Sequence, residues 1–516
     1  MRLKSIFSRT FLFISCLIVF GISGLAQTPP GSGKMAGYPE PRYPQPPEIN
    51  SVEDLLPAAR IIAFRDKGLN MRPGYEVKGG EKILFVVSDY TDPWVVEAFK
   101  RVFEDKGASV DVFIQASPFK DIWTTGDSME RRIHRDRYQA AFSTGTGSTL
   151  AGRGKVSIED FARSQGYDLV VGRTFQTGLE GAQSDYGIRM MWPTRYTLAS
   201  AGESYPRELI ELIERKGWEM VRQARRVHIT DPEGTDLSWS WTDEHWQVVE
   251  GVHPTYPVHI GSITHKFGPG ESENPIIPGH LMAYPIGIIF DDADAAGVIA
   301  GTTDHQGPFP YIKIKIENNQ IASMEGGGEY GELWREFLDK NKQIHYISQT
   351  RPGNNYVTEV SICTNPKIVR PHDVFATRAG RSAWVLDRMR SGVIHIGIGL
   401  NSRREWATER GYPTDHYHVH LYFPTVTIET RDGRTLTMID KGRLTALDDP
   451  EVRQLAAKYG DPDEMLREDW IPGIPGINME GDYMRDYAGD PRAFYERDYQ
   501  RVYGDLIQEA VEQYGP

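Results

Sequence analysis

The sequence predicts an α/β N-terminal domain built on a parallel sheet, followed by a mainly β domain, an α+β arrangement overall. Three observations carry this. The chain has 516 residues, more than one typical domain. An apolar run, a capped helix and a second apolar run follow one another between Glu81 and Ile114. Near Arg226 the pattern changes to segments that alternate apolar and polar residues.

Residues 1–26 read as a secretory signal, with a basic start (Arg2, Lys4, Arg9), an apolar run from Phe11 to Phe20, and small residues before Gln27. The expected location is secreted or periplasmic; an uncleaved anchor is the other arrangement, and no cysteine directly follows Ala26 to take a lipid. Residues 27–50, rich in Pro and Gly, read as an extended linker or a wrapping arm.

The first domain is expected over 51–225. Glu81–Val87 suits a buried strand. Asp92 and Pro93 suit the N-cap and first position of a helix, Trp94–Asp105 has helical spacing, and Gly107 stops it. Ser109–Ile114 is the next strand, and this β-α-β order implies parallel pairing. Tyr167–Gly172 suggests another strand and Tyr205–Ala224 a long helix. No G-x-G-x-x-G follows the first strand, so no dinucleotide is expected.

The second domain is expected over 226–445. Val227–Thr230, Thr235–Trp241, Pro278–Phe290, Tyr311–Ile316, Tyr356–Cys363, Val393–Ile398 and His416–Thr430 alternate like strands. Gly326-Gly327-Gly328 reads as a turn before a helix from Tyr330 to Lys340. Residues 446–516 form a helical and looped extension, with Trp470-Ile-Pro-Gly-Ile-Pro-Gly476, expected to pack across the body.

The formal charge is −13, or −16 without residues 1–26, which argues against nucleic acid as a partner. After signal cleavage no membrane association is expected. Cys16 lies in the signal, so Cys363 is the single cysteine beyond it and no intramolecular disulfide is expected.

The chemistry concentrates late in the chain. His395, His416, His418 and His420 are four of 14 histidines, and the last three alternate, so on a strand they share a face. A solvated strand has no use for such a row, and imidazole is a common ligand for Zn, Fe and Cu. Glu359 sits on an apolar strand, where a carboxylate needs a metal or an Arg partner. Cys363 shares that strand face and reads as a buried small residue rather than a soft ligand. His253, His259 and His265 surround Pro254-Thr-Tyr-Pro257 and read as loop or pocket-rim residues. His305 and His372 lie in turn-like contexts.

Gly79-Gly-Glu-Lys-Ile-Leu-Phe85, Gly234-Thr-Asp-Leu237, Gly279-His-Leu-Met-Ala-Tyr-Pro285, Thr358-Glu359 before Thr364-Asn-Pro366, and Ile394-His395 occur in this order. In these signposts the chain resembles the aminopeptidase T (thermophilic metalloprotease) superfamily from about residue 50 to about 440. The resemblance implies two metal ions in the peptidases, held by two Glu, one Asp and two His. By position Glu359 and His395 match, whereas His280 stands for the first Glu and His418-x-His420 for a closing His-x-Asp. Ser402 stands where the peptidases have a catalytic Tyr. The run from His395 to Trp406 looks closer to the 2,5-dihydroxypyridine 5,6-dioxygenases of the same superfamily, mononuclear non-haem iron enzymes that open a pyridine ring. A register with His416-x-His418 on the closing pair is the alternative.

One ion is favoured over two, because a single carboxylate among these ligands would leave two divalent ions with a large buried charge. The expected metal ligands are His395, His418 and His420, with Glu359 and His280 as further ligands or acid/base groups. Arg403, Arg404, Trp406, Tyr412 and Tyr417 are expected to bind substrate. The expected cofactor is one divalent ion, Fe(II) favoured over Zn(II), Co(II) or Mn(II). The leading expectation is a ring-cleaving dioxygenase for a hydroxylated aromatic. A metallo-aminopeptidase acting on short peptides is the alternative, and a metal-dependent binding protein the third. A homodimer is one arrangement that the resemblance implies.

Overall fold

The computed structural model describes residues 30–65, 75–88, 90–115, 158–173, 188–189, 193–249, 280–282, 293–304, 307–346, 351–382, 387, 389–399, 410–412 and 416–515. The expected signal at 1–26 and the candidates His253, His259, His265 and His305 lie outside them. No described helix is long and apolar enough to cross a membrane.

The first apolar run becomes β1 (Lys82–Ser88), buried from Ile83 onward. The Asp92 carboxylate accepts the backbone N–H of Trp94 at 2.9 Å, and Pro93 opens helix α1 (Pro93–Asp105). This helix buries Phe99 and Phe103 against Phe85 of β1, with ring centroids 5.9 and 5.8 Å apart. The chain returns as β2 (Ser109–Gln115), parallel to β1, and β3 (Leu169–Arg173) and β4 (Ile188–Arg189) complete a parallel sheet of order β2-β1-β3-β4. The long helix follows as α2 (Arg207–Val221).

The mainly β region begins with β5 (Ala224–Thr230) and β6 (Asp236–Ser240). A short strand, β7 (His280–Met282), belongs to a different sheet from β8 (Ala296–Asp304), β9 (Gly307–Glu317) and β10 (Gln320–Gly326). The glycine triplet that begins at the last residue of β10 has positive φ at all three positions (75°, 82°, 49°). A Cβ on Gly326 would come within 2.3 Å of the Tyr311 carbonyl oxygen, so only glycine makes the turn that launches helix α3 (Gly328–Asn341). Next come β11 (Val357–Cys363), β12 (Ile394–Gly399) and β13 (His416–Leu421). The run from His416 to Thr430, expected as one alternating stretch, breaks at Tyr422-Phe423-Pro424, where proline has no N–H for a ladder. Beyond the break β14 (Thr425–Thr430), β15 (Thr435–Asp440) and β16 (Arg443–Leu444) rejoin the larger sheet.

The two sheets are antiparallel, with orders β10-β9-β8-β6-β5-β14-β15-β16 and β13-β12-β11-β7. They share one core. Val360, Ile362, Ile396, Val419 and Leu421 of the smaller sheet cluster with Ile299 and Ile314 of the larger. At Gly301 the approach is so close that a Cβ would meet Val419 Cγ1 at 2.6 Å. One face of the smaller sheet is thus used for the core, and the other carries the histidines.

The C-terminal extension ends in helix α4 (Pro491–Tyr514). Its Trp470, Tyr495 and Tyr499 pack with Cys363, Val393 and Tyr422, the end of the histidine-bearing face. The arm at 30–50 wraps this extension: Arg42 and Ile471 exchange both backbone hydrogen bonds at 2.9 and 3.0 Å. His372 lies in a turn, as expected. It is buried between Tyr196 and Tyr503, with ring centroids 4.7 and 6.0 Å away. Tyr514 donates to Asp92 at 2.7 Å, so the tail reaches the cap of α1.

The tail also meets two buried carboxyls in the turn between β5 and β6. Asp231 accepts the N–H groups of Glu233 and Phe423 (2.9 and 3.3 Å), and Glu233 accepts the hydroxyls of Tyr483 and Thr302 (2.7 and 2.8 Å). Burial pushes both carboxyls well above the usual carboxylate range, and Asp231 raises Glu233 further. The folded state therefore keeps protons that the unfolded chain loses near pH 4. Their stabilisation is fully present below that value and is lost as pH rises through the folded-state values. Glu233→Gln, neutral and of similar shape, is expected to shrink the fall in melting temperature between pH 5 and pH 8. An unchanged fall in that variant would show that the pair does not set the pH dependence.

Candidate metal centre

Strand register assembles the centre. Ser361 pairs with His395 and His395 with His420; one row along, Glu359 pairs with Gly397 and Gly397 with His418. Cross-strand partners share a face and alternate residues return to it. Glu359, Ser361, His395, His418 and His420 therefore lie on one face. Gly397 has no side chain, which leaves the space between Glu359 and His418 open.

Across that space His395 Nε2 lies 2.5 Å from Glu359 Oε1, and His418 Nε2 lies 3.5 Å from Glu359 Oε2. One donor atom from each of Glu359, His395 and His418 falls within 4.8 Å of the others. Ser361 Oγ donates to Glu359 Oε1 at 2.9 Å and holds the carboxylate in place. His395 is fully buried, His418 is 8 % exposed, and the Glu359 side chain 13 %. Two imidazole nitrogens and a carboxylate oxygen converging on a buried face are donor types that a divalent cation takes. Bonds of about 2.0–2.2 Å bring the donors around one ion to within about 4 Å of each other, a small side-chain adjustment from this arrangement. The residues present fit one divalent ion.

The expected residues divide as follows. His420 shares the face, is fully buried, and has its ring 6.0 Å from that of His395, but it is not in the group of three. The backbone of His280 is opposite Cys363. That is two strands across and two positions along from His395, about 12 Å at ordinary sheet spacings. The His280 and His416 side chains are outside the described residues, as are Arg403, Arg404 and Trp406. Tyr412 is half-buried with its ring 6.2 Å from that of Tyr346. Tyr417 is a correction: expected at a substrate pocket, it projects to the opposite face and stacks on Trp334 at 4.7 Å in the core. Cys363 is buried against the C-terminal extension. Ser361 was not among the expected site residues, although its position two along from Glu359 on one strand was a usable signal.

No family model and no curated protein matches the chain. Solved structures similar to it include the following two. One is a 2,5-dihydroxypyridine dioxygenase from Pseudomonas putida KT2440, at 14% identity and TM-score 0.38, covering 77% of this chain and 98% of that one. The other is wild-type AmpT from Thermus thermophilus, at 14% identity and TM-score 0.37, covering 76% and 99%. The likeness is too distant to assign any site residue, which rests on the register and distances above.

Proposed function

We propose that the protein is a mononuclear non-haem metalloenzyme that opens the ring of a hydroxylated aromatic or heteroaromatic compound with dioxygen. Glu359, His395 and His418 would hold one divalent ion, Fe(II) favoured. The observation that supports this is the donor set: two imidazoles and one carboxylate on a buried sheet face match the facial triad of non-haem Fe(II) oxygenases. A bound Fe(II) supplies positions for a chelating substrate and for dioxygen.

The remaining work falls to the chain. The Glu359 charge offsets half of a divalent ion's charge, and one carboxylate suits one ion better than two. Ser361 keeps that carboxylate aimed between the histidines. His420, buried beside His395, would take a proton from a substrate hydroxyl. The packed aromatic residues of the C-terminal extension close one end of the face against water.

Metal content of anaerobically purified protein tests this directly. About one iron per chain, with dioxygen uptake on dihydroxylated pyridines or phenols, is the expected result. Two zinc or cobalt ions per chain with release of amino-acid p-nitroanilides would replace the reading with a metallo-aminopeptidase. One tightly held ion with no open position and neither activity would leave a metal-dependent binding protein.

A further inference from the structure

We infer that Tyr330 is the positioning residue for His418: its single hydroxyl holds both backbone polar groups of that ligand. The inference rests on the metal-centre reading. Strand β13 is at the edge of its sheet, so the outward N–H and C=O groups of its residues need partners from elsewhere in the fold. At His418 both find the same atom. Tyr330 Oη donates to the His418 carbonyl oxygen at 2.9 Å and accepts the His418 N–H at 3.2 Å. One side-chain atom thus does what a neighbouring strand would do, and it does so at a ligand.

The hydroxyl is itself fixed. Tyr330 is fully buried in the first turn of α3, directly after the glycine triplet that sets where the helix begins. Its ring stacks on Phe309 at 4.3 Å and meets Trp334 and Tyr417 at 5.7 Å each. Tyr417, next to His418 in the chain, is in turn stacked on Trp334. The aromatic cluster on one face of β13 therefore sets the backbone from which His418 projects on the other. A ligand's position is only as precise as the shell that supports it.

The test uses Co(II) as probe on the full chain. Tyr330→Phe keeps the ring and removes the hydroxyl. It is expected to weaken Co(II) binding by about 10–100-fold and to change the visible ligand-field spectrum. Leu209→Ala, a buried core position on helix α2 outside the aromatic cluster, is expected to lower stability while keeping native affinity and spectrum. Native affinity and spectrum in Tyr330→Phe would overturn the inference, and so would equal losses in the two variants. If the native chain bound Co(II) no better than His418→Ala, the metal-centre reading itself would fall, and the inference with it. Should Tyr330→Phe not fold, amide exchange at His418 in the native chain decides. Protection close to that of the core is expected, and the fast exchange of an uncovered edge overturns it.

Discussion

His395→Ala is expected to lower divalent-metal affinity by more than about 100-fold and to abolish turnover, since outer partners of metal ligands alone are worth about 10–100-fold. His395 is on a central strand with Glu359 on one side and His420 on the other. Its removal leaves one imidazole and one carboxylate, too few to hold a divalent ion against water. Glu359→Gln is expected to lose affinity to a similar degree, because the amide keeps the shape and gives up the charge that offsets the ion. His420→Ala separates the roles: metal content close to native with turnover strongly reduced. Competition with a chromophoric chelator reads all three. Native affinity in His395→Ala or Glu359→Gln would remove them from the centre, and loss of metal in His420→Ala would make His420 a ligand.

Local signals were legible in the sequence and long-range pairings were not. The β1-α1-β2 unit follows from a cap, a proline and a stop glycine, all within a few residues of what they control. Strand β8 was missed because Ala296-Gly-Val-Ile-Ala-Gly-Thr-Thr-Asp304 is small and glycine-interrupted, and its burial comes from Val419 pressing on Gly301. Three alternating histidines were enough to mark a face. Parity alone cannot say which of them meets Glu359, because that depends on register between strands far apart in sequence. Register puts His418 in the Glu359 row and His420 in the Ser361 row. Tyr417 is a different kind of miss. The same parity that groups His416, His418 and His420 already sends Tyr417 to the other side. Tyr330 left no signal, since its role exists only where a helix start meets a strand edge 88 residues away.

Arg370→Met is expected to cost about 3–5 kcal/mol of stability, the usual penalty for stranding one member of a buried ion pair. Arg370 and Asp387 are 3.0 Å apart with both side chains fully buried. Tyr422 joins them, accepting from Arg370 at 2.5 Å and donating to Asp387 at 2.7 Å. The guanidinium also lies over Trp470 and Tyr495, 4.5 and 4.7 Å from their ring centres, so a cation–π contact ties the C-terminal extension to this pair. Methionine retains much of the volume and none of the charge, leaving Asp387 ionised in the core or forced to take a proton. Removing both charges, as in Arg370→Met/Asp387→Leu, is expected to recover most of the loss, because the two members of the pair are then removed together. Urea denaturation of the two single variants and the double one measures the coupling. A double variant no more stable than Arg370→Met would mean that the arginine acts by packing alone. The consequence reaches the centre, because Tyr422 directly follows β13 and anchors the strand end two residues past His420. Arg370→Met should therefore expose the extension to protease first and loosen the histidine strand with it, and protection of both segments equal to the native chain would sink that link.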